Sequence, residues 1–245
     1  MIKHIMDIDV NYIRYGNSKG KSVILLHGWG QNIQMMQPIG DNLSSEFDVT
    51  IVDLPGFGMS EEPKYVWEVI DYVNCIHKLL GELNIARPIM IGHSFGGKIT
   101  LLYSSIYDTE KIVLFGSPYT KEVKKVGMKT KVLKSLKKVP GINKLEGFAK
   151  KHMGSTDYRQ ASTMMRNVLV QTVNLDITEE VKKINVPTLL IWGTNDSQVS
   201  IELARELEKL IKDCGLIEYE GCTHYAYLER LEQTINVLSS FLRGE

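Results

Sequence analysis

The residues with the clearest chemical potential form the run Gly92-His93-Ser94-Phe95-Gly96, which matches the pattern G-x-S-x-G. The serine follows an apolar run typical of a buried strand and precedes a segment with helical spacing. Such a sharp strand-to-helix turn lifts a serine hydroxyl above a sheet, and the helix aims unpaired backbone N–H groups at the same place. We therefore predict that Ser94 is a nucleophile. The alternative is a glycine-rich helix start with an incidental serine.

A serine hydroxyl is a poor nucleophile until a base takes its proton. Of the six histidines, only His224 lies beyond Ser94 in the part of the chain where apolar strands and helices alternate. His224 follows a predicted strand and precedes the last predicted helix, so its loop can reach the same sheet edge as Ser94. We predict that His224 is the base. A surface histidine at a capped helix start is the alternative.

The base needs an acid that holds its tautomer and stabilises the imidazolium. Asp196 follows another predicted strand, at the end of the run Gly193-Thr194-Asn195-Asp196. The order serine, aspartate, histidine along the chain is one in which such triads occur. Asp53 precedes Ser94 and lies in a turn, so we expect it to organise a loop. Asp196 is therefore the predicted acid.

A tetrahedral oxyanion needs two hydrogen-bond donors. One is predicted to be the backbone N–H of Phe95, the residue after the nucleophile. The second is expected from the loop His27-Gly28-Trp29-Gly30, where we choose the N–H of Trp29. His27 is expected to support this loop without taking part in proton transfer.

The elements that must position these residues follow from apolar runs and helical spacing. Buried strands are predicted at residues 23–26, 49–52, 88–91, 111–115, 187–192 and 216–219, and helices at 66–83, 95–107, 201–211 and 227–242. Residues 2–8 and 10–15 are predicted to form a strand pair with its bend near Asp9. Strands that alternate with helices favour an α/β fold, with a parallel sheet covered on both faces.

One segment interrupts this alternation. Residues 118–178 contain no convincing buried strand, and their pattern is helical and rich in lysine and methionine. We predict an insertion over one end of the sheet, with a core formed by residues 1–117 and 179–245. Met128, Met153, Met164 and Met165 lie in this segment, where they could roof an acyl pocket or serve as ordinary packing.

Together these motifs resemble the α/β-hydrolase fold serine hydrolases over nearly the whole chain. The matching runs are His27-Gly28-Trp29-Gly30, Asp53-Leu54-Pro55-Gly56-Phe57-Gly58-Met59-Ser60, Gly92-His93-Ser94-Phe95-Gly96-Gly97, Trp192-Gly193-Thr194-Asn195-Asp196 and Gly221-Cys222-Thr223-His224. The resemblance implies a mostly parallel, doubly wound sheet with an inserted helical cap. It also implies the triad Ser94, Asp196 and His224, oxyanion donors at Trp29 and Phe95, and no need for a metal or organic cofactor.

The form of the motifs narrows the branch. A serine at position 94 argues against dehalogenases and epoxide hydrolases, which resemble this pattern but use aspartate there. The run His27-Gly28-Trp29-Gly30 is similar to that of small carboxylesterases, so the resemblance implies ester hydrolysis through an acyl-enzyme. The alternatives are a C–C bond hydrolase of ring-fission products, a thioesterase or hydrolase of acyl-carrier-protein esters, and a receptor-like binding module without turnover.

A formal net charge of zero hides two unequal parts. Residues 119–166 carry 11 Lys and two Arg against three acidic residues, a charge of +10, and the rest of the chain carries −10. Residues 126–139 could form an amphipathic helix with most of its lysines on one side. The segment could be a solvated lysine face, or it could dock an acidic partner or an anionic membrane surface. No motif points to nucleic acid.

The remaining composition is ordinary for a folded α/β chain of 245 residues. The first residues include Asp7 and Asp9, where a signal peptide would need an apolar stretch, and no run is long enough to span a membrane. The three cysteines are too widely spaced to indicate a disulfide framework or a zinc cluster. We therefore expect a cytoplasmic protein. The resemblance implies that its partner is a small-molecule ester substrate.

Overall fold

The computed structural model describes residues 1–121 and 161–243, with one eight-stranded sheet at the centre. The strands are β1 (Ile2–Ile5), β2 (Ile8–Gly16), β3 (Ser22–Leu26), β4 (Asp48–Val52), β5 (Ile89–His93), β6 (Ile112–Phe115), β7 (Thr188–Gly193) and β8 (Cys214–Tyr219). Their order across the sheet is β1-β2-β4-β3-β5-β6-β7-β8. β2 pairs antiparallel with β1 and β4, and the neighbours from β4 to β8 pair in parallel. The predicted mostly parallel sheet is confirmed.

Helices cover both faces of this sheet. They are α1 (Ile33–Leu43), α2 (Val69–Glu82), α3 (Phe95–Ser104), α4 (Thr163–Asn174), α5 (Thr178–Val181), α6 (Ile201–Leu210), α7 (Ala226–Glu229) and α8 (Leu231–Arg243). Side chains of β3 alternate between two apolar clusters: Ile24 and Leu26 pack with α2, α3 and α6, whereas Val23 and Leu25 pack with α1 and α8. A strand buried on both faces explains why β3 reads as a continuous apolar run.

The first hairpin turns earlier than the sequence suggested. Its bend lies at Met6 and Asp7, which both have positive φ (50° and 62°), and not near Asp9, which pairs with His4. A two-residue turn between twisted strands needs a left-handed backbone at both positions. Methionine and aspartate carry no glycine signal for such a turn, so the prediction near Asp9 was wrong.

Helix α1 was not predicted, because Pro38 lies inside it and proline usually ends a helix. Its buried face comprises Ile33, Met36, Ile39, Gly40 and Leu43, which pack on the sheet. The side chain of Asn32 caps the first turn by accepting a hydrogen bond from the N–H of Gln34. Burial of this face and the cap therefore outweigh the missing N–H of the proline.

Of the predicted insertion, the structure describes residues 118–121 and 161–178, which contain α4 and the first residue of α5. Helix α4 is fastened to α3 by Lys98, which is 1% exposed and donates from Nζ to the carbonyls of Thr172 and Leu175, both at 2.8 Å. Burial lowers the pKa of Lys98 to about 8. Residues 126–139 and most of the lysines between 119 and 166 lie outside the described residues, as do Met128 and Met153.

Candidate active site

Ser94 lies on a strained turn between β5 and α3. Its φ of 50° and ψ of −109° are unfavourable for a residue with a Cβ. A backbone hydrogen bond to the neighbouring strand β6 holds the turn: Ser94 N–H donates to the carbonyl of Phe115 at 2.9 Å. Ser94 is half-buried, whereas both of its neighbours in the chain are buried. The strain therefore presents a serine hydroxyl at the carboxyl edge of the sheet.

The glycines around Ser94 permit this turn. A Cβ on Gly92 would lie 2.5 Å from the carbonyl oxygen of Gly96, and a Cβ on Gly96 would lie 2.3 Å from that of Leu26. Real Cβ atoms do not approach backbone oxygens so closely, so a side chain at either position would displace the turn. Neighbouring backbone therefore comes close to the turn at both glycines.

Asp196 and His224 come together on the loops that follow β7 and β8. Asp196 Oδ2 lies 2.7 Å from His224 Nδ1, and the two residues are 8% and 5% exposed. The other carboxylate oxygen accepts hydrogen bonds from the N–H groups of Gln198 and Val199 at 2.8 and 2.9 Å. An anchored carboxylate fixes the ring so that Nδ1–H donates to it. His224 Nε2 forms no hydrogen bond with any described residue and can act as a base.

Gly116 brings this pair to the serine turn. It follows Phe115, which accepts the Ser94 N–H, and a Cβ on Gly116 would lie 2.9 Å from His224 Nδ1 and 3.3 Å from Asp196 Oδ2. Its φ of +52° also favours glycine. Gly116 is not singled out by its local sequence, since a glycine before Ser117 and Pro118 suggests an ordinary turn.

The loop after β3 is joined to the serine turn through backbone. Gly96 N–H donates to the carbonyl of His27 at 3.1 Å. The N–H groups of Trp29 and Phe95, the two predicted oxyanion donors, donate to no acceptor among residues 1–121 and 161–243. Unpaired donors on two adjoining loops are suited to bind a developing negative charge.

His27 supports this loop, as expected. Leu54 N–H donates to His27 Nε2 at 3.0 Å, which requires an unprotonated Nε2, and the proton on Nδ1 is donated to the carbonyl of Gly28 at 2.7 Å. The ring is fully buried, and burial lowers its pKa to about 4. Both ring nitrogens are therefore occupied by backbone.

Asp53 organises the adjoining loop, also as expected. Its Oδ1 accepts from the N–H of Ile33 at 2.7 Å. Its Oδ2 accepts from Met59 N–H and from Asn11 Nδ2, both at 2.8 Å. A buried carboxylate with three donors is satisfied without a histidine. Asp53 thus joins α1, β2 and the turn before α2.

An aromatic wall borders the serine. The ring of Trp29 packs edge-on against Phe57 and Phe95, with centroids 4.9 and 5.3 Å apart. Trp29 and Phe57 are half-buried, whereas Phe95 is 3% exposed. Met165, a residue of α4, packs over Gly56, where a Cβ would lie 2.5 Å from the Met165 methyl carbon. The site is therefore bordered by apolar surface suited to an apolar group.

No group of three or more His, Cys, Asp or Glu side chains in the described residues could hold a metal ion. None of the helices in residues 1–121 and 161–243 is both long and apolar enough to cross a bilayer.

Comparisons with known proteins agree with this fold. Residues 21–128 match the family model described as alpha/beta hydrolase fold. The pimeloyl-[acyl-carrier protein] methyl ester esterase of Aliivibrio salmonicida (strain LFI1238) is 24% identical over 250 residues, which cover 93% of this chain and 94% of the esterase.

Solved structures share the whole fold. The enol-lactonase from Burkholderia xenovorans LB400 has a TM-score of 0.79 at 20% identity and covers 99% of this chain and 100% of its own. The meta-cleavage product hydrolase from Pseudomonas fluorescens IP01 has a TM-score of 0.76 at 21% identity, with 100% and 97% covered. At such identities the likeness establishes a common fold.

Proposed function

This chain is an α/β-hydrolase-fold protein, and we propose that it is a serine hydrolase that cleaves carboxylic esters through an acyl-enzyme. The observation that carries the proposal is the 2.7 Å pair of His224 Nδ1 and Asp196 Oδ2, both buried, at the sheet edge where the strained Ser94 is half-exposed. A histidine fixed in this way, with Nε2 unoccupied by any described residue, is what a serine nucleophile needs.

The proposed reaction has two halves. His224 Nε2 takes the hydroxyl proton of Ser94, whose oxygen attacks the ester carbonyl carbon, and the N–H groups of Trp29 and Phe95 stabilise the oxyanion. His224 then gives that proton to the departing alkoxide, and the acyl group stays on Ser94. In the second half, His224 takes a proton from water, and the water oxygen attacks the carbonyl carbon of the acyl-enzyme. His224 then returns that proton to the Ser94 oxygen, which releases the acid and restores the serine.

An uncharged or weakly polar acyl group suits the aromatic wall formed by Trp29, Phe57 and Phe95. The esterase among the relatives supports ester cleavage, and we propose a small-molecule ester as the substrate. We propose further that residues 118–178 cap the site and that the protein works in the cytoplasm. An acidic partner or anionic surface at the lysine-rich segment remains a separate proposal, because most of that segment lies outside the described residues.

The test compares p-nitrophenyl esters of increasing acyl length with a meta-cleavage ring-fission product, using the wild type and Ser94→Ala. The proposal expects turnover of short esters by the wild type, loss of that turnover in Ser94→Ala, and little turnover of the ring-fission product. Preferred cleavage of the ring-fission product would support C–C bond hydrolysis, the activity suggested by one structural neighbour. Ester turnover that survives in Ser94→Ala would end the assignment.

A further inference from the structure

His93 precedes the proposed nucleophile, and no step of the proposed reaction uses it. Its ring is fully buried, and its two nitrogens face two different loops. Nε2 lies 3.1 Å from the carbonyl oxygen of His224, and Nδ1 lies 3.1 Å from Oε1 of Gln31. The backbone carbonyl of His224 can only accept, so the proton belongs on Nε2, which donates to the backbone of the proposed base. The unprotonated Nδ1 then meets the acceptor Gln31 Oε1 as a packing contact and not as a hydrogen bond.

Gln31 extends this contact to the oxyanion loop. Its Oε1 accepts the N–H of Gly28 at 2.9 Å. A Cβ on Gly28 would lie 2.8 Å from His93 Nδ1 and 3.1 Å from Gln31 Oε1, so the two side chains fill the space that glycine leaves. Three loops therefore meet at His93: the loop after β3, the serine turn and the loop after β8.

The surroundings of His93 keep its ring in place. The rings of His224, Tyr225 and Tyr227 lie 4.8, 5.4 and 5.0 Å from it, all contributed by the loop after β8 and the start of α7. Burial is the main cause that lowers the pKa of His93 well below its ordinary value, and the nearby His224 adds to the effect. A neutral ring suits this position, because a second positive charge would oppose protonation of His224.

We propose that His93 is a positioning residue that holds the proposed base loop against the proposed oxyanion loop, by donating Nε2–H to the His224 carbonyl and by packing its ring against Gly28 and Gln31. The kinetic consequence rests on the proposed hydrolase function, whereas the structural consequence rests on the contacts alone. The carbonyl of His224 belongs to the residue whose ring must face Ser94. Its release would let that ring drift from the geometry that proton transfer needs.

The test uses a matched pair, His93→Leu and His93→Gln. Leucine removes the hydrogen bond to the His224 carbonyl and the contact of the ring nitrogen with Gln31. The glutamine amide can reach the His224 carbonyl with an N–H of its own. Hydrogen exchange is measured in the full chain at residues 27–32 and 221–226, with α2 amides as the internal reference, and kcat and KM are measured with a short p-nitrophenyl ester. If the His93 variants do not fold, Gln31→Leu takes their place as the test variant, because Gln31 is only half-buried.

We expect His93→Leu to speed exchange in both loops relative to α2 and to lower kcat by about 100-fold, with KM little changed. His93→Gln should recover most of both effects, and Gln31→Leu should speed exchange mainly at residues 27–32. Folded His93→Leu with wild-type exchange in the two loops, or His93→Gln no better than His93→Leu, would overturn the proposal. A wild type that hydrolyses no ester would count against the proposed function, while the exchange data would still decide this inference.

Discussion

Two pairs of loops in this protein each combine a buried histidine with a buried aspartate, yet they use them in opposite ways. In the loops after β3 and β4, both ring nitrogens of His27 are engaged with backbone, and Asp53 is saturated by three donors. In the loops after β7 and β8, Asp196 gives one oxygen to backbone and the other to His224, whose Nε2 meets no described partner. The difference lies in which atoms have no hydrogen-bond partner.

The comparison shows how similar residues take up structural or chemical roles. A histidine with both nitrogens satisfied stabilises a loop and resists protonation, because burial opposes the charge. A histidine with one nitrogen fixed by a carboxylate and the other unengaged can accept a proton and have the resulting charge stabilised. The loops that carry His27 and Asp53 are thus expected to govern stability. The loops that carry Asp196 and His224 are expected to govern turnover.

The strongest way to break this comparison is His224→Gln. Without a base, kcat for a short ester should fall by up to about 10⁶-fold, as for the histidine of other serine triads. The free energy of unfolding should change much less than the activation free energy, since Nε2 has no described partner to lose and the glutamine amide can replace Nδ1–H as a donor to Asp196. Steady-state kinetics and urea unfolding of the same preparation check both parts. A variant that keeps a tenth of the wild-type kcat would contradict the assignment.

The two aspartates give a paired test. Asp196→Asn should lower kcat by about 10⁴-fold, because the amide favours the wrong tautomer of His224. Asp53→Asn should leave a working triad but destabilise the fold, since its NH₂ group would face one of the donors that Asp53 now accepts. Kinetics and urea unfolding of both variants are the measurements. Equal losses of kcat in the two would remove the distinction between the loops.

His27→Leu should act chiefly on stability. It leaves the Leu54 N–H and the Gly28 carbonyl without their ring partners, and we expect a loss of about 2–4 kcal/mol in the free energy of unfolding. Esterase activity should persist in the folded protein at a temperature well below its midpoint. Chemical denaturation followed by circular dichroism provides the value. A stability equal to that of the wild type would contradict the role given to His27.

The pH dependence of stability sharpens the same point. The pKa of His27 is about 4 in the folded protein and near 6.5 when unfolded. Between these pKa values the unfolded chain binds the proton and the folded chain does not. The His27 contribution to the free energy of unfolding is therefore fully present above pH 6.5 and is lost as pH drops toward 4. The His27 share of this loss is up to about 3 kcal/mol. His27→Gln should flatten the plot of the free energy of unfolding against pH between these two pKa values. An unchanged slope would argue against a buried, neutral His27.

The sequence predicted the sheet and most helix positions, and it placed Ser94, Asp196 and His224 at one sheet edge, because each follows a predicted strand. It missed α1, because Pro38 conceals a helix that tertiary packing supports. It missed the roles of Gly116 and Gln31, because these depend on contacts with residues that lie 62 to 108 positions away in the chain and meet them only after folding. Local pattern carries no such information.

Labelling with a fluorophosphonate probe tests the central claim most directly. The wild type, Ser94→Ala and His224→Gln are treated with the probe, and the modified residue is located by peptide mass spectrometry. The account predicts one adduct on Ser94 in the wild type, none in Ser94→Ala and strongly slowed labelling in His224→Gln. An unlabelled wild type, or an adduct on another serine that persists in Ser94→Ala, would contradict it.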